Sequence, residues 1–269
     1  MKKLIFTFVF IACALLSSCN NPNCQITYSS HYQGITLGNL GDWGAKIKSH
    51  DFKNGLGIIT FDKEISIIPK NAFANCYNLR SISLPSTVEE IKESAFVNCK
   101  ALVDITLPSQ LQFIGIDAFK YCENLNNFKI PKSVKTIEEG AFQHCKFLHR
   151  ITIPESITSI AEGLFYGCDN LKKITIPDGV TSIGKQAFYD CGKLESITIP
   201  DSVTTIGDKA FYDCWSPKEV YCKATIPPTV GRIMFFYNPK IYVPRESVEA
   251  YKAADGWSDY AEYIVGYDF

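Results

Sequence analysis

Cysteines are the residues of this sequence best suited to chemistry, because a thiolate is a nucleophile and a metal ligand. The chain has eleven cysteines in 269 residues, and seven recur every 23 residues: Cys76, Cys99, Cys122, Cys145, Cys168, Cys191 and Cys214. Disulfides are permitted if the protein is exported, but seven is an odd number. A metal site needs several converging ligands, often a CxxC pair, and the sequence contains none. The pattern therefore predicts buried, unpaired thiols that pack as small apolar groups.

Two histidines, His144 and His149, flank Cys145, and a Cys–His pair can act as nucleophile and base. No oxyanion feature accompanies them, and the sequence has no HExxH, GxSxG or Walker-type loop. Adjacent carboxylates at 89–90 and 138–139 fall in variable positions, where solvated side chains are expected. The sequence thus predicts no catalytic residue, no metal site and no cofactor, so we expect a protein that is not an enzyme.

The 23-residue spacing of the cysteines belongs to a repeat that spans most of the chain. Phenylalanine recurs from Phe73 to Phe211, leucine from Leu79 to Leu194 and proline from Pro85 to Pro200, always at 23 residues. The unit reads AFxxCxxLxxIxIPxxVxxI, in seven copies and a weaker copy from Leu56. Such a period is typical of a solenoid, in which one unit buries its apolar face only against its neighbours.

Each unit predicts a strand followed by a bend. Ile197 and Ile199 point inward because side chains alternate along a strand, and Pro200 ends the pairing because it has no N–H. The AFxxC segment is expected to form a short helical turn over the core. We therefore predict an α/β solenoid with a parallel strand ladder, short helical turns and about eight 23-residue repeats.

The strand half of the unit, Leu79-x-x-Ile82-x-Leu84, resembles leucine-rich repeats. Proline stands where asparagine or cysteine usually follows the strand, and this variant resembles the BspA-like leucine-rich repeats of bacterial surface proteins, from about Leu56 to Phe269. The segment 57–73 looks like the opening copy of that family, and 241–264 looks like its closing segment. The resemblance implies a leucine-rich-repeat solenoid associated with attachment to host proteins or other cells.

The first residues resemble a lipoprotein signal. A basic MKK precedes LIFTFVFIACALL, an apolar run too short to span a membrane, and LSSC ends at Cys19. Leu-Ser-Ser-Cys resembles the lipobox of bacterial lipoproteins, which implies cleavage before Cys19 and lipid on its thiol. The other interpretation is an ordinary signal peptide cut nearby. Cys24 follows in a polar stretch, and the sequence leaves open whether it is free or paired.

Four segments follow from these patterns. We predict a lipoprotein signal peptide (1–18), a lipidated tether and N-terminal cap (19–55), the leucine-rich repeats (56–222) and a C-terminal cap (223–269). Caps are expected because an open solenoid end exposes strand edges and apolar core. Trp257, Tyr260 and Tyr263 are candidates to close the last repeat.

The outward positions of the strands form the predicted ligand face. Basic side chains gather there beside a column of threonines. The candidate residues are Lys129, His149, Arg150, Thr152, Lys172, Lys173 and Thr175. Such a face fits an acidic glycan or an acidic protein loop. The other interpretation is that threonines simply suit strands and lysines confer solubility.

We predict a protein that binds a macromolecular protein or glycan ligand and contacts the membrane through lipid on Cys19. The formal net charge of −1, without a long basic run, predicts no nucleic-acid partner. Cell-surface adhesion is the leading hypothesis, and a periplasmic structural or scaffold lipoprotein and a glycan-binding protein are the alternatives. We expect lipid anchoring in the cell envelope, at the outer membrane or cell surface. The periplasmic face stays open, because Asn20 and Asn21 follow Cys19 instead of acidic residues.

Overall fold

A computed structural model describes residues 21–31, 33–38, 43–126, 128–215, 218–232 and 234–269. Short strands dominate these residues. In chain order they are β1 (Gln25–Ser30), β2 (Ile47–Lys53), β3 (Leu56–Phe61), β4 (Ile67–Ile68), β5 (Leu79–Ser83), β6 (Glu90–Ile91), β7 (Asp104–Thr106), β8 (Phe113–Ile114), β9 (Thr136–Ile137), β10 (Arg150–Thr152), β11 (Ser159–Ile160), β12 (Lys173–Thr175), β13 (Ser182–Ile183), β14 (Ser196–Ile199), β15 (Thr205–Ile206), β16 (Glu219–Cys222), β17 (Thr229–Val230), β18 (Lys240–Pro244) and β19 (Ile264–Tyr267). Helix is scarce: the described residues hold one α-helix, α1 (Val248–Ala253), and the 3-10 helices Pro22–Cys24, Arg245–Ser247 and Ser258–Tyr263.

The strands build a solenoid of about nine turns with two parallel ladders. The longer strands, from β5 through β7, β10, β12, β14, β16 and β18 to β19, form one side. The two-residue strands, from β4 to β17, form the second side. Partners within the repeats lie 23 residues apart, as Arg150 does from Lys173 and Ile160 from Ile183. The predicted parallel ladder is therefore confirmed, and paired strands come from consecutive repeats.

The AFxxC segment forms the third side, as consecutive tight turns and not as the helical turn expected from the sequence. Asn71 and Asn75 both have left-handed backbone, with φ of 58° and 62°, and equivalent residues recur in every repeat to 213. A left-handed residue ends a helix. The backbone therefore bonds to the next repeat: the N–H of Phe73 donates to the Ala95 carbonyl at 2.8 Å.

A stack of phenylalanine rings fills the solenoid axis. The rings from Phe73 to Phe211 are at most 1% exposed, and consecutive ring centroids lie 5.0–5.7 Å apart. Phe235 extends the stack by one more ring at 5.5 Å. Stacking of identical rings supplies both apolar burial and ring-to-ring attraction in every repeat. The repeat thus explains why one sequence pattern specifies one continuous core.

The thiol column is buried and unpaired, as predicted, and it also makes hydrogen bonds that the sequence did not indicate. The eight cysteines from Cys76 to Cys222 are free and buried. From Cys99 to Cys214, each Sγ donates to the carbonyl of the phenylalanine 26 residues earlier, at 3.0–3.3 Å. Burial raises the pKa of the Cys145 and Cys191 thiols well above the ordinary value. The thiols therefore stay protonated and tie successive repeats together.

The beginning of the solenoid departs from the repeat. The weak first copy contributes β3 and β4, and β4 pairs with β6 as expected. However, β1 lies antiparallel between β3 and β5, with Tyr28 opposite both Gly57 and Ile82. Cys24, expected in a polar tether, is fully buried and disulfide-bonded. The segment before Leu56 is therefore part of the folded sheet from at least Gln25.

The far end is closed by aromatic side chains, as predicted for Trp257 and Tyr260. Trp257 is fully buried and its Nε1–H donates to the Pro228 carbonyl at 2.7 Å. Tyr251 on α1, which the sequence did not single out, is also fully buried and donates to the Ala224 carbonyl at 2.8 Å. Tyr263 is only partly buried. Strands β18 and β19 continue the long-strand ladder beyond residue 222.

Candidate functional site

The outer surface of the long-strand ladder, here called the strand face, carries all seven residues predicted for the ligand face, and all seven are exposed. Arg150 lies directly opposite Lys173, and Thr152 lies opposite Thr175. Side chains on one face of paired parallel strands stand about 5 Å apart. The structure therefore brings the predicted cations and hydroxyls onto one continuous surface.

The ladder is interrupted in the repeat before β10. Residues 128–130 form no strand, although the same positions are strands in the repeats on either side, β7 and β10. Phe128 occupies the inward position that isoleucine holds in those repeats, and it is 4% exposed. Its ring packs edge to face between Phe119 and Phe142, with centroids 5.1 and 5.0 Å away. A larger inward side chain displaces the strand, because a close-packed core has no spare volume.

The displaced segment has also lost backbone hydrogen bonds to the neighbouring repeats. In other repeats, the residue that follows the repeat's leucine donates its backbone N–H to the backbone carbonyl of the equivalent residue one repeat earlier. The Lys172 N–H, for example, donates to the His149 carbonyl at 3.0 Å. The N–H groups of Glu195 and Val103 make the equivalent bond to the residue 23 positions earlier, at 3.1 and 2.9 Å. Within the described residues, the equivalent bonds from Asn126 and His149 are missing. The strand segment of this repeat has therefore separated from both neighbours.

The interruption opens a groove of about 840 Å³ in the strand face. Four of the predicted residues line it: Lys129, His149, Arg150 and Thr152. The walls also include apolar side chains, among them Phe128, Ile130 and Pro154. Lys172, Lys173 and Thr175 lie outside the groove, on the neighbouring repeat. The sequence thus identified part of the lining but not the cavity.

The groove is positively charged. Its lining has the cations Lys129, Lys132 and Arg150 and a single carboxylate, Glu155. Across the part of the chain that the structure describes, none of these cations forms an ion pair, and neither do Lys172 and Lys173. Lysines on other sides of the solenoid do pair with carboxylates from neighbouring repeats, at 2.8–3.0 Å. The strand face therefore keeps its cations available for an anionic ligand.

One polar atom of the groove has no hydrogen-bond partner among the residues that the structure describes. The Oδ1 of Asn126 is buried and unbonded, and Asn126 lines the groove. A buried carbonyl without a donor is unfavourable by about 1–3 kcal/mol. A ligand that offers an O–H or N–H there removes that penalty. The groove therefore combines anion attraction with a demand for one donor from the ligand.

The possible Cys–His pair is absent from the fold. The Sγ of Cys145 is buried and donates to the Phe119 carbonyl at 3.3 Å. The His144 ring lies outside the core, stacked on Tyr121 with centroids 4.7 Å apart. His149 uses its Nδ1 for the Phe147 carbonyl at 2.6 Å. These contacts assign the cysteine to the core and leave both histidines without a role as its base.

The sequence missed Asn126, Phe128 and Lys132 as groove residues. A signal for Phe128 was present, because it interrupts a column of isoleucines at 82, 105, 151, 174 and 197. The consequence of that interruption depends on how the neighbouring strands respond in three dimensions. Asn126 gave no comparable signal, since its position varies between repeats.

An elongated, parallel-stranded solenoid with an open polar face defines a repeat protein built for macromolecular contact. The chain matches the family described as BspA type Leucine rich repeat region, in six copies over residues 23–149 and 141–242. It therefore belongs to the BspA-type leucine-rich repeat family.

Solved structures include two similar proteins. A leucine-rich cell surface protein from Faecalibacterium prausnitzii is 37% identical over 65% of this chain and 46% of its own, with a TM-score of 0.56. A leucine-rich repeat protein from T. pallidum is 31% identical over 56% of this chain and 72% of its own, with a TM-score of 0.52. This chain thus corresponds to less than half of the first relative. No curated protein matches the chain.

Proteins of this family are typically found at the cell surface and are typically non-enzymatic, and the family suggests a protein-interaction role. No helix among the described residues is long and apolar enough to cross a bilayer. The predicted lipidation site, Cys19, lies outside the described residues.

Proposed function

We propose that this protein is a non-enzymatic, lipid-anchored surface protein that attaches its cell to an acidic macromolecule, bound in the groove of the strand face. The observation that carries the proposal is the set of unpaired cations around the Phe128 interruption. On other sides of the solenoid some lysines pair with carboxylates, as Lys185 does with Glu162 at 3.0 Å. Cations left unpaired beside an open groove attract an anionic partner and raise its association rate.

Charge reversal tests the groove. Arg150→Glu combined with Lys129→Glu should weaken binding of the mature chain to immobilised heparin or polyglutamate by at least tenfold, about 1.4 kcal/mol. The matched control is Lys185→Glu with Lys70→Glu, which makes the same charge change on another side of the solenoid. Equal losses for the two pairs would mean that only net charge matters and would refute a groove. Surface plasmon resonance at two salt concentrations provides the measurement.

The lipid anchor is tested separately at Cys19. Metabolic labelling with a palmitate analogue should mark the wild-type protein, and Cys19→Ala should abolish the label and release the protein from the membrane fraction. Labelling that persists in Cys19→Ala would exclude this anchor, and so would a disulfide between Cys19 and Cys24 in the mature protein, because a thiol that carries lipid cannot form a disulfide. The result is independent of ligand binding.

Exposure on the cell decides between adhesion and a periplasmic scaffold. Lipoproteins exported to the outer face of the outer membrane often carry acidic residues just after the lipidated cysteine. Asn20 and Asn21 occupy those positions here, and for this reason a periplasmic scaffold is the second candidate. Antibody labelling and protease digestion of intact cells should detect an adhesin. Protection in intact cells, followed by digestion after outer-membrane permeabilisation, would assign the protein to the periplasmic face.

A further inference from the structure

A tyrosine cluster lies on the strand face, several repeats beyond the groove. The rings of Tyr221 and Tyr242 stack with centroids 4.7 Å apart, and Tyr267 packs edge to face against both, at 5.5 and 5.3 Å. Glu219 accepts hydrogen bonds from the Tyr221 and Tyr242 hydroxyls, at 2.9 and 3.2 Å. Tyr267 is 42% exposed. The cluster is therefore ordered by its own contacts and open to solvent.

Basic side chains accompany the tyrosines. The Lys240 ammonium lies 4.9 Å from the centroid of the Tyr242 ring. A second groove of about 540 Å³ begins there, lined by Lys218 and Lys240, by one carboxylate, Glu262, and by the rings of Tyr237 and Tyr263. Aromatic rings with adjacent hydroxyls and cations can contact the apolar and polar sides of a sugar at once.

A row of threonines connects the two sites. Thr152 lies opposite Thr175, Thr198 opposite Tyr221, and Tyr221 opposite Tyr242. The Glu195 N–H joins the two halves of the row through the Lys172 carbonyl at 3.1 Å. Four strand spacings separate β10 from β18, which is about 19 Å. The row is exposed throughout its threonine section.

Along most of the threonine row, the strand face offers side chains and not a strand edge. Between β10 and β12, and between β14 and β18, neighbouring strands pair with each other. An extended peptide that adds to a sheet draws its affinity from main-chain hydrogen bonds at an open edge. That mode is unavailable between these paired strands and is confined to unpaired edges, such as the edge of β10 beside the interruption. Sugar hydroxyls, in contrast, can bond directly to threonine and tyrosine hydroxyls.

We propose that the strand face is a track for an acidic polysaccharide, whose charged groups bind in the groove and whose chain extends along the threonines to the tyrosine cluster. The proposal rests on the groove binding described under Proposed function and names its ligand class. Each sugar ring of an extended chain advances by roughly one strand spacing. A chain of four or five sugars therefore spans the distance from Thr152 to Tyr242.

Oligosaccharides of increasing length test the track. The probes are heparin fragments from disaccharide to decasaccharide, titrated calorimetrically against the mature, full-length protein. Affinity should rise up to the hexasaccharide and then level off. Tyr242→Ala should weaken hexasaccharide binding about tenfold, the loss of about 1.4 kcal/mol, and leave the disaccharide unchanged. Tyr267→Ala, at a more exposed position, should act in the same direction without a risk to folding.

Tyr189→Ala is the matched control. Tyr189 also belongs to a stacked pair, with Tyr166 at 4.7 Å, but on the third side of the solenoid, which the AFxxC turns form and which is here called the turn side. It should not change the affinity for any fragment. Affinity that does not depend on length, or hexasaccharide binding that is insensitive to both tyrosine variants, would overturn the track even if Arg150→Glu abolishes binding.

A polyglutamate peptide of equal charge separates the ligand classes. Tighter binding of the peptide than of the hexasaccharide would overturn the polysaccharide assignment and leave the groove intact as a site for an acidic protein. Insensitivity of every probe to Arg150→Glu would refute the groove itself.

Discussion

Replacing one side chain should close the groove. Phe128 is the bulky residue in a column that holds isoleucine in the neighbouring repeats, and residues 128–130 form no strand. Phe128→Ile should let residues 128–130 return to strand geometry between β7 and β10. The groove should shrink, and binding of acidic ligands should fall because Lys129 and Arg150 then lie on an unbroken sheet.

The effect on stability follows from two opposing changes. The variant loses two edge-to-face contacts, with Phe119 and Phe142, each worth about 0.5–1.5 kcal/mol. It regains the two missing backbone bonds of Asn126 and His149, each worth about 0.5–1.5 kcal/mol. The free energy of unfolding should therefore change by less than about 1–2 kcal/mol. A large loss of binding with little loss of stability is the expected signature.

Three measurements check this expectation. Urea unfolding gives the stability, amide hydrogen exchange should show new protection at Asn126 and His149, and heparin titration gives the affinity. The reverse substitution, Ile174→Phe, is the control, because it places the larger ring two repeats further along and should reduce protection in β12 and β14. Unchanged exchange and unchanged affinity in Phe128→Ile would refute the link between the phenylalanine and the groove.

Two further predictions concern the scaffold. Gly167 has a left-handed φ of 66°, and a Cβ there would overlap the His144 ring, so Gly167→Ala should destabilise the fold by about 1–3 kcal/mol. Gly192→Ala is the control, since its Cβ meets only ordinary contacts, and equal urea midpoints for the two variants would contradict this account. Burial raises the pKa of Cys214 to about 12 and of Cys222 to about 11, while unfolded thiols ionise near pH 9. The buried thiols therefore stabilise the fold fully below about pH 9, where they are protonated in both states. Their contribution is lost as the pH rises from about 9 to the raised pKa values of about 11 and 12. Thiol reagent should label them only after denaturation, and labelling of the native protein at neutral pH would show that they are not buried.

The repeat made the solenoid predictable, because a fixed 23-residue step requires each residue to lie beside its counterpart. It could not predict β1, since this antiparallel strand lies outside the repeat and its pairing with β3 and β5 has no 23-residue signature. The turn side was expected to be helical from its composition. Left-handed residues such as Asn75 redirect its hydrogen bonds between repeats, and residue types alone do not reveal that choice.

The outward position of the seven candidate residues was predictable residue by residue, because strand alternation fixes which side chains point outward. All seven candidates are exposed, yet only four border the groove. The groove itself arises from a packing conflict around Phe128, which depends on the volume of its neighbours. The hydrogen bonds of the thiol column escaped prediction for a similar reason: the sequence reveals that Cys145 is buried but not which carbonyl it reaches.

Protection of the groove by ligand is the most direct test of the central claim, that the interrupted strand face is the binding surface. Hydrogen exchange of the mature protein, with and without a heparin decasaccharide, should show protection in residues 126–132 and 149–156. The turn side around Tyr189 should exchange at the same rate in both samples. Protection confined to the turn side, with residues 126–132 and 149–156 unchanged, would contradict the account.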